Sequence, residues 1–213
     1  MIRRLLIVNR GEIALRIVRA AQESGLVSII AHSEADTDTL AVQRADEAVC
    51  IGPAQASKSY LNIPAIIEAA KACQADAVHP GYGFLSESAD FARAVKEAGM
   101  VFIGPDAEII ARMGDKAMAR QTAIEAGVPV VPGSPHAVKG LDALAVVESV
   151  GFPLLIKAAA GGGGRGIRIA EDRDALGKQL PLAQAEAQAS FGDGRVYLER
   201  FISSARHIEV QVL

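Results

Sequence analysis

Cysteine is scarce in this chain. Cys50 and Cys73 are the two it has in 213 residues, each in an apolar segment with no second partner at metal-ligand spacing. That sets aside a disulfide framework and a zinc site and leaves buried, reduced thiols as the expectation. A dominant sign of charge is missing as well. Lys and Arg number 22 against 25 Asp and Glu, giving a formal net charge of −3 and a pI near 5.8, so there is no electrostatic footprint for nucleic acid or for an anionic membrane. Long hydrophobic runs are absent too. The N-terminal run Leu5–Val8 is far too short for a signal-peptide core or a membrane span and reads as a first strand, although the arginines beside it leave an organelle import segment open. No internal repeat or low-complexity tract interrupts the chain. Apolar residues are plentiful, at 50%, enough to bury a sizeable core in one large or two small domains.

Short apolar runs alternate with helical periodicity, the pattern of a parallel α/β layer. Strands are expected at Leu5–Val8, Val27–Ala31, Ala48–Ile51, Ala77–His79 and Val101–Ile103, and helices at Ile13–Ser24, Ile63–Cys73 and Ser88–Ala98. In the first helix Ile13, Ile17, Val18 and Ala21 recur on a sheet-facing side, while Arg16, Arg19 and Glu23 share another. Asn62 is placed to cap the second helix, with Pro64 tolerated in its first turn. After Gly104-Pro105 the pattern is helical through Ala126, with a break at Gly114-Asp115. Val128–Gly133 then reads as a connector, which puts a domain boundary near Val128. A smaller unit follows, with helices near Leu141–Val150 and Ala175–Ser190, a glycine hairpin between them, and a strand Val196–Phe201.

The hairpin Leu154–Ala170 carries the strongest chemical signal. Gly161 to Gly164 are followed by Arg165 and Gly166, and each glycine costs roughly 0.5–1 kcal/mol of ordering entropy relative to alanine. Close approach of the backbone to a ligand accounts for that cost: bare amide N–H groups converge on phosphate oxygens, and Lys157 adds a point charge. Gly161, Gly163 and Gly166 satisfy G-x-G-x-x-G, yet Ile167–Ala170 alternates like a strand where a dinucleotide fingerprint needs a helix. A flap folding over nucleotide phosphates fits better, as in protein kinases. A flexible hairpin tip is the alternative.

Two further segments follow strand ends, where open parallel sheets bind ligands. Asn9-Arg10-Gly11-Glu12 has a single glycine and lacks the support that nicotinamide or flavin binding requires. His79–Glu87 packs two glycines, two aromatics and a proline into nine positions, and a tight strand-to-helix turn with satisfied side chains is the competing reading of His79 and Tyr82. Lys116 lies at a helix start, where a lysine is usually surface.

Taken in order, NRGEIALRI (Asn9–Ile17), ADEAVCIG (Ala45–Gly52), SYLNIPAII (Ser59–Ile67), HPGYGFLSE (His79–Glu87), FIGP (Phe102–Pro105), MGDK (Met113–Lys116), IKAAAGGGGRG (Ile156–Gly166) and RHIEVQVL (Arg206–Leu213) make the chain resemble the N-terminal portion of a biotin carboxylase, of the ATP-grasp superfamily. The resemblance implies an α/β fold: a Rossmann-like parallel-sheet domain with a helical connector over 1–127, a small α+β lid domain over 128–203, and the first strand of a further ATP-grasp region over 204–213. It implies ATP-dependent carboxylation of protein-linked biotin by bicarbonate through carboxyphosphate, with Mg2+. ATP contacts carry over to Lys116, Lys157, Gly162, Gly163, Gly164, Gly166, Glu199, Arg200, Phe201, Ile202, His207 and Glu209, and the vicinity of biotin and bicarbonate to Tyr82 and Gly83. Arg16, Arg19 and Glu23 become candidates for a homodimer contact.

The catalytic residues and metal ligands of the family belong to a region beyond residue 213, so none is assigned here and the chain alone is expected not to turn over. A biotin carboxyl carrier protein or domain and a carboxyltransferase are the implied partners, as in acyl-CoA carboxylases serving fatty acid biosynthesis. Neither nucleic acid nor membrane is implied, and the cytoplasm or the mitochondrial matrix is the implied location. Another ATP-grasp ligase would share the lid but lack NRGEIA together with HPGYGFLSE. A non-catalytic nucleotide-binding or dimerisation module is the third reading.

Overall fold

The computed structural model describes residues 1–138, 142–159, 167–206, 208 and 210, with the side chains of Lys116, Ala117, Asp142, Leu144 and Phe191 left aside. The chain divides into two compact units, Met1–Gly114 and Asp115–Glu209.

The first unit is a parallel sheet of five strands, β1 (Arg4–Ile7), β2 (Val27–His32), β3 (Glu47–Cys50), β4 (Ala77–His79) and β5 (Val101–Phe102), in the order β3-β2-β1-β4-β5. Helices α1 (Gly11–Glu23), α2 (Leu40–Arg44), α3 (Ile63–Ala72), α4 (Ala89–Glu97) and α5 (Ala107–Gly114) connect and follow them. From Leu5 onward the central strand is apolar without a break because both faces are covered. Leu5 and Ile7 pack with Ala14, Ile17, Val18 and Ala21 of α1. Leu6 and Val8 pack on the other side with Ile66 and Ala70 of α3 and with Phe91 and Val95 of α4. Asn62 caps α3, its Oδ1 accepting the Ala65 N–H at 3.3 Å, and Pro64 sits in the first turn.

The cysteines correct the expectation of buried thiols: Cys50 is exposed and Cys73 half-buried. β3 is an edge strand with an exposed flank, so apolar sequence there does not bring burial. Cys73 closes the C-terminus of α3, where its carbonyl accepts from the Arg4 guanidinium at 2.8 and 3.0 Å.

The second unit contains α6 (Lys116–Glu125), α7 (Asp142–Val150), β6 (Leu154–Ala158), β7 (Arg168–Ala170), α8 (Arg173–Phe191) and β8 (Val196–Arg200). Its antiparallel sheet has the order β7-β6-β8. α8 begins two residues before the reading from periodicity because Asp172 caps it, Oδ1 accepting the Ala175 N–H at 2.7 Å. α6 groups with this unit, ahead of the boundary read near Val128. Arg120 Nη1 donates to the Val131 carbonyl at 2.6 Å, binding the helix to the connector, and the division falls at the Gly114-Asp115 break.

Phe91 is fully buried and meets Phe102 edge-on, ring centres 5.9 Å apart. Phe91→Ala is expected to lower the unfolding free energy by about 3–5 kcal/mol, measured by urea denaturation followed by far-UV circular dichroism. A loss below about 1 kcal/mol would contradict this packing.

Candidate functional site

In the first unit the strand order reverses between β1 and β4, and the crevice beyond their carboxyl ends is where such sheets take ligands. Asn9 ties the two strand ends together. Its buried Nδ2 donates to the carbonyls of Pro80 (2.7 Å) and Tyr82 (2.8 Å), and its Oδ1 accepts the Arg10 N–H at 2.9 Å. Gly81 has φ +68°, and a Cβ there would fall 2.7 Å from Asn9 Nδ2, so the turn needs glycine on two counts. His79 Nδ1 accepts the Gly81 N–H at 3.0 Å, and burial pulls the imidazole pKa below its ordinary value. The sequence alternative for His79, a satisfied turn residue, is what the geometry holds.

Tyr82 projects into solvent, its hydroxyl donating to Glu12 Oε1, and this carboxylate pushes the phenol above its ordinary pKa. Gly83, at φ +67°, is exposed beside it. Phe84 has φ +44°, a strained backbone for a bulky residue, and stacks on Tyr60 at 5.0 Å. The guanidinium of Arg10 lies over both rings, 5.5 Å from Phe84 and 5.8 Å from Tyr60, at cation–π range, with Asp36 at 3.9 Å. Asp36 Oδ2 accepts from Ser33 Oγ (2.6 Å) and from the Tyr60 hydroxyl (2.9 Å). Desolvation is the main reason the Tyr60 hydroxyl is pushed up to about 12. Asp36 and Tyr60 escaped the sequence reading because each looks like an ordinary loop or core residue until the fold joins them.

In the second unit, α7 and α8 cover one face of the sheet. Leu154, Ile156, Ala170, Val196 and Leu198 face them together with Val147, Val150, Leu176, Leu180 and Ala183. The alternate residues Leu155, Lys157, Ile169, Tyr197 and Glu199 lie on the other face by the period of two. Lys157 is directly opposite Tyr197, and Leu155 opposite Glu199. Lys157 and Glu199 are therefore diagonal neighbours, and Nζ meets Oε2 at 2.5 Å with the side chains 32% and 26% exposed. A cation, a carboxylate and apolar side chains share this face.

The remaining candidates are spread over both units. Lys116 opens α6, where Asp115 Oδ1 accepts the Met118 N–H at 2.9 Å, but its side chain is among those left aside. Gly162, Gly163, Gly164, Gly166, His207 and Glu209 lie outside the described residues. The Arg200 guanidinium is engaged at the end of α7, donating to the Val150 carbonyl and, at 3.3 Å, to Phe152. The backbone N–H groups of Arg200 and Phe201 donate to Pro132 and Pro153. Ile202 is exposed. Arg16, Arg19 and Glu23 are exposed on α1, opposite its buried stripe. Among the described residues no cluster of His, Cys, Asp or Glu could hold a metal, and no helix is long and apolar enough to cross a membrane.

Known proteins match the chain along its length. The family model described as the biotin carboxylase N-terminal domain matches residues 1–110, and that of the carbamoyl-phosphate synthase L chain ATP-binding domain matches residues 115–213. A biotin carboxylase of Pseudomonas aeruginosa is 53% identical over 215 residues, covering 100% of this chain and 48% of its own length. The chain thus spans about half the length of that curated relative. Among solved structures, the biotin carboxylase–β,γ-ATP complex of Campylobacter jejuni superposes with a TM-score of 0.85 at 48% identity, over 95% of this chain and 46% of that one. The biotin carboxylase domain dimer of Hydrogenobacter thermophilus 2-oxoglutarate carboxylase, in complex with MgADP, ADP and bicarbonate, does so with 0.83 at 42% identity, over 95% and 45%.

The His79 geometry predicts a pH dependence. Because the folded pKa is depressed, the full contribution to stability is present above the ordinary value of 6.5 and is lost as pH falls below it toward the folded pKa. Urea midpoints between about pH 7.5 and about pH 5 should fall for the wild type. The fall should be shallower in His79→Asn, which retains an acceptor for the Gly81 N–H without titrating. Equal slopes for the two proteins would reject the assignment.

Proposed function

The chain belongs to the biotin carboxylase family, and from that premise we propose that it supplies the sheet domain and the nucleotide lid of an ATP-dependent ligase that carboxylates protein-linked biotin. The observation that carries this reading is the outer face of the second unit. A nucleotide needs a cation for its phosphates and apolar surface for its base, and Lys157 stands there among Leu155, Ile169 and Tyr197. Residues 161–166, which join β6 to β7, supply the glycine lid. With ATP bound, the nucleotide brings the energy that activates bicarbonate.

The contribution of this chain is electrostatic and geometric: Lys157 holds a phosphate, Lys116 adds a second charge, and the lid excludes water from a labile mixed anhydride. Glu199 to Ile202 run along the base. With the Arg200 and Phe201 N–H groups already bonded to Pro132 and Pro153, and the Arg200 side chain capping α7, base recognition falls to the other groups of this segment and to surface complementarity. Magnesium accompanies ADP in the Hydrogenobacter structure, but the described residues form no ligand group for it.

At the crevice of the first unit, Tyr82 and Gly83 face the biotin and bicarbonate end, held by Asn9 and Glu12. The partners follow from the reaction: a biotin carboxyl carrier protein or domain presents the acceptor, and a carboxyltransferase uses the product in the cytoplasm. A homodimer through α1 completes the reading, in line with the dimer of the Hydrogenobacter domain.

Two outcomes test this function. Calorimetric titration with ATP should show binding that Lys157→Ala weakens by at least about tenfold, the value of a charge-assisted contact; unchanged affinity would remove Lys157 from the site. Arg19→Glu should shift sedimentation toward the monomer while leaving the circular dichroism spectrum intact, since α1 buries only its opposite stripe. A sedimentation coefficient that does not change would move the dimer contact elsewhere.

A further inference from the structure

We propose that His79 is a positioning residue for the crevice of the first unit: its imidazole, with Nδ1 bare and the proton on Nε2, fixes the turn after β4 in the form that sets the Tyr82 hydroxyl on Glu12. The inference rests on reading Tyr82 and Gly83 as the biotin and bicarbonate end, and goes beyond it by naming the atom that orients them.

The turn does not hold itself. Gly81, Gly83 and Phe84 have φ of +68°, +67° and +44°, three left-handed residues within four positions, which a free chain does not keep together. Bonds from outside the turn must do so. Asn9 Nδ2 donates to the carbonyls of Pro80 and Tyr82 at 2.7 and 2.8 Å, and within the turn the Ser86 N–H donates to the Gly83 carbonyl at 2.9 Å. The N–H of Gly81, a buried residue, needs an acceptor. The Asn9 atom that a Gly81 Cβ would meet first is Nδ2, at 2.7 Å, itself a donor. Asn9 therefore supplies the turn with donors, and His79 Nδ1 supplies the acceptor, at 3.0 Å. The histidine is anchored independently of the turn. It ends β4 opposite Ile7, and its carbonyl accepts the Val8 N–H at 2.9 Å, so the turn conforms to the ring.

A ring nitrogen that accepts carries no proton, so the proton of the neutral imidazole is on Nε2. The other tautomer would set an N–H against the Gly81 N–H. The charged ring would do the same, and burial disfavours it. With Gly81 fixed, the direction of the next residue follows. Tyr82 is 51% exposed, so its direction is set by the turn and by the bond its hydroxyl makes to Glu12 Oε1 at the start of α1, rather than by packing.

The test is nuclear magnetic resonance on the 213-residue chain, as wild type, His79→Asn, His79→Gln and Glu12→Gln. Asn places its oxygen near the position of Nδ1 and Gln near that of Nε2, so only His79→Asn restores the acceptor. Long-range nitrogen correlation of the wild-type imidazole should show Nδ1 bare and Nε2 protonated; a proton on Nδ1 overturns the proposal whatever the variants do. Titration of the tyrosine Cζ signals reads the contact with Glu12. Tyr82 is expected above the ordinary phenol value of 10.0 in wild type and His79→Asn, and back near it in His79→Gln and Glu12→Gln. A Tyr82 that stays raised in His79→Gln overturns the proposal. Tyr60, pushed up to about 12 chiefly by burial, reports on the fold: if it falls together with Tyr82 in His79→Gln, the effect is general and the positioning role is overturned. Free biotin added to the same samples separates this role from the reading of the crevice. Changes at the Tyr82 and Gly83 amides in wild type and His79→Asn that vanish in His79→Gln support both. Equal changes in all three leave the biotin end in place and overturn the role of His79. No change in any of them, with the tyrosines titrating as expected, removes biotin from this end and leaves His79 as the residue that orients Tyr82.

Discussion

Coverage of one sheet face and not the other is the constraint on which the second unit depends. α7 and α8 pack on the same side, so the period of two in β6 and β8 divides their residues into a helix-facing set and an outward set. Leu154, Ile156, Val196 and Leu198 are buried. Leu155, Lys157, Tyr197 and Glu199 are their alternates, and a slip of one residue would exchange the two sets. The chemistry of the face is thereby tied to the stability of the core: the register that buries four aliphatic side chains is the register that joins Lys157 to Glu199. The ion pair itself is partly exposed and contributes little to stability, about 0–1 kcal/mol, so its significance lies in where it places charge.

The first unit follows a different logic. Its sheet is covered on both faces, so function is confined to the strand ends. There, a single buried amide, Asn9, makes the bonds that hold the turn after β4 against the end of β1. Loss of that side chain would leave the Pro80 and Tyr82 carbonyls without it, an unfavourable change in a buried setting. The strained backbone of Phe84 is offset by its stack on Tyr60, and the Arg10 guanidinium covers both rings. The crevice is therefore ordered by contacts among its own residues.

Much of this was legible in the chain because the signals were local. Runs such as Leu5–Val8, and the capping pair of Asn62 with Pro64, located their elements to within a residue or two. The hairpin around the glycine run was readable from its alternation. Less legible was whatever depends on neighbours distant in sequence. Exposure of Cys50 follows from the edge position of β3, which no run of apolar letters conveys. The pairing of Lys157 with Glu199 comes from register across 42 positions, and engagement of Arg200 at the end of α7 depends on a strand end meeting a helix end. The short helix α2 was not read at all, since five residues are too few for a period to show. Gly133, in a connector, gives the sequence no hint that a strand passes within van der Waals distance.

That connector has a consequence for solubility. An open strand flank offers a row of unpaired amides and carbonyls to any other chain, and β8 would present one. The segment Pro132–Val138 lies along that flank and bonds to it at Leu198, Arg200 and Val196. Because it contains Pro132 and Pro135, and Pro129 shortly before, it has few amide protons of its own to extend the ladder. The proline-rich stretch that follows α6 thus acts as a selvedge on the sheet, finishing its edge against further strands.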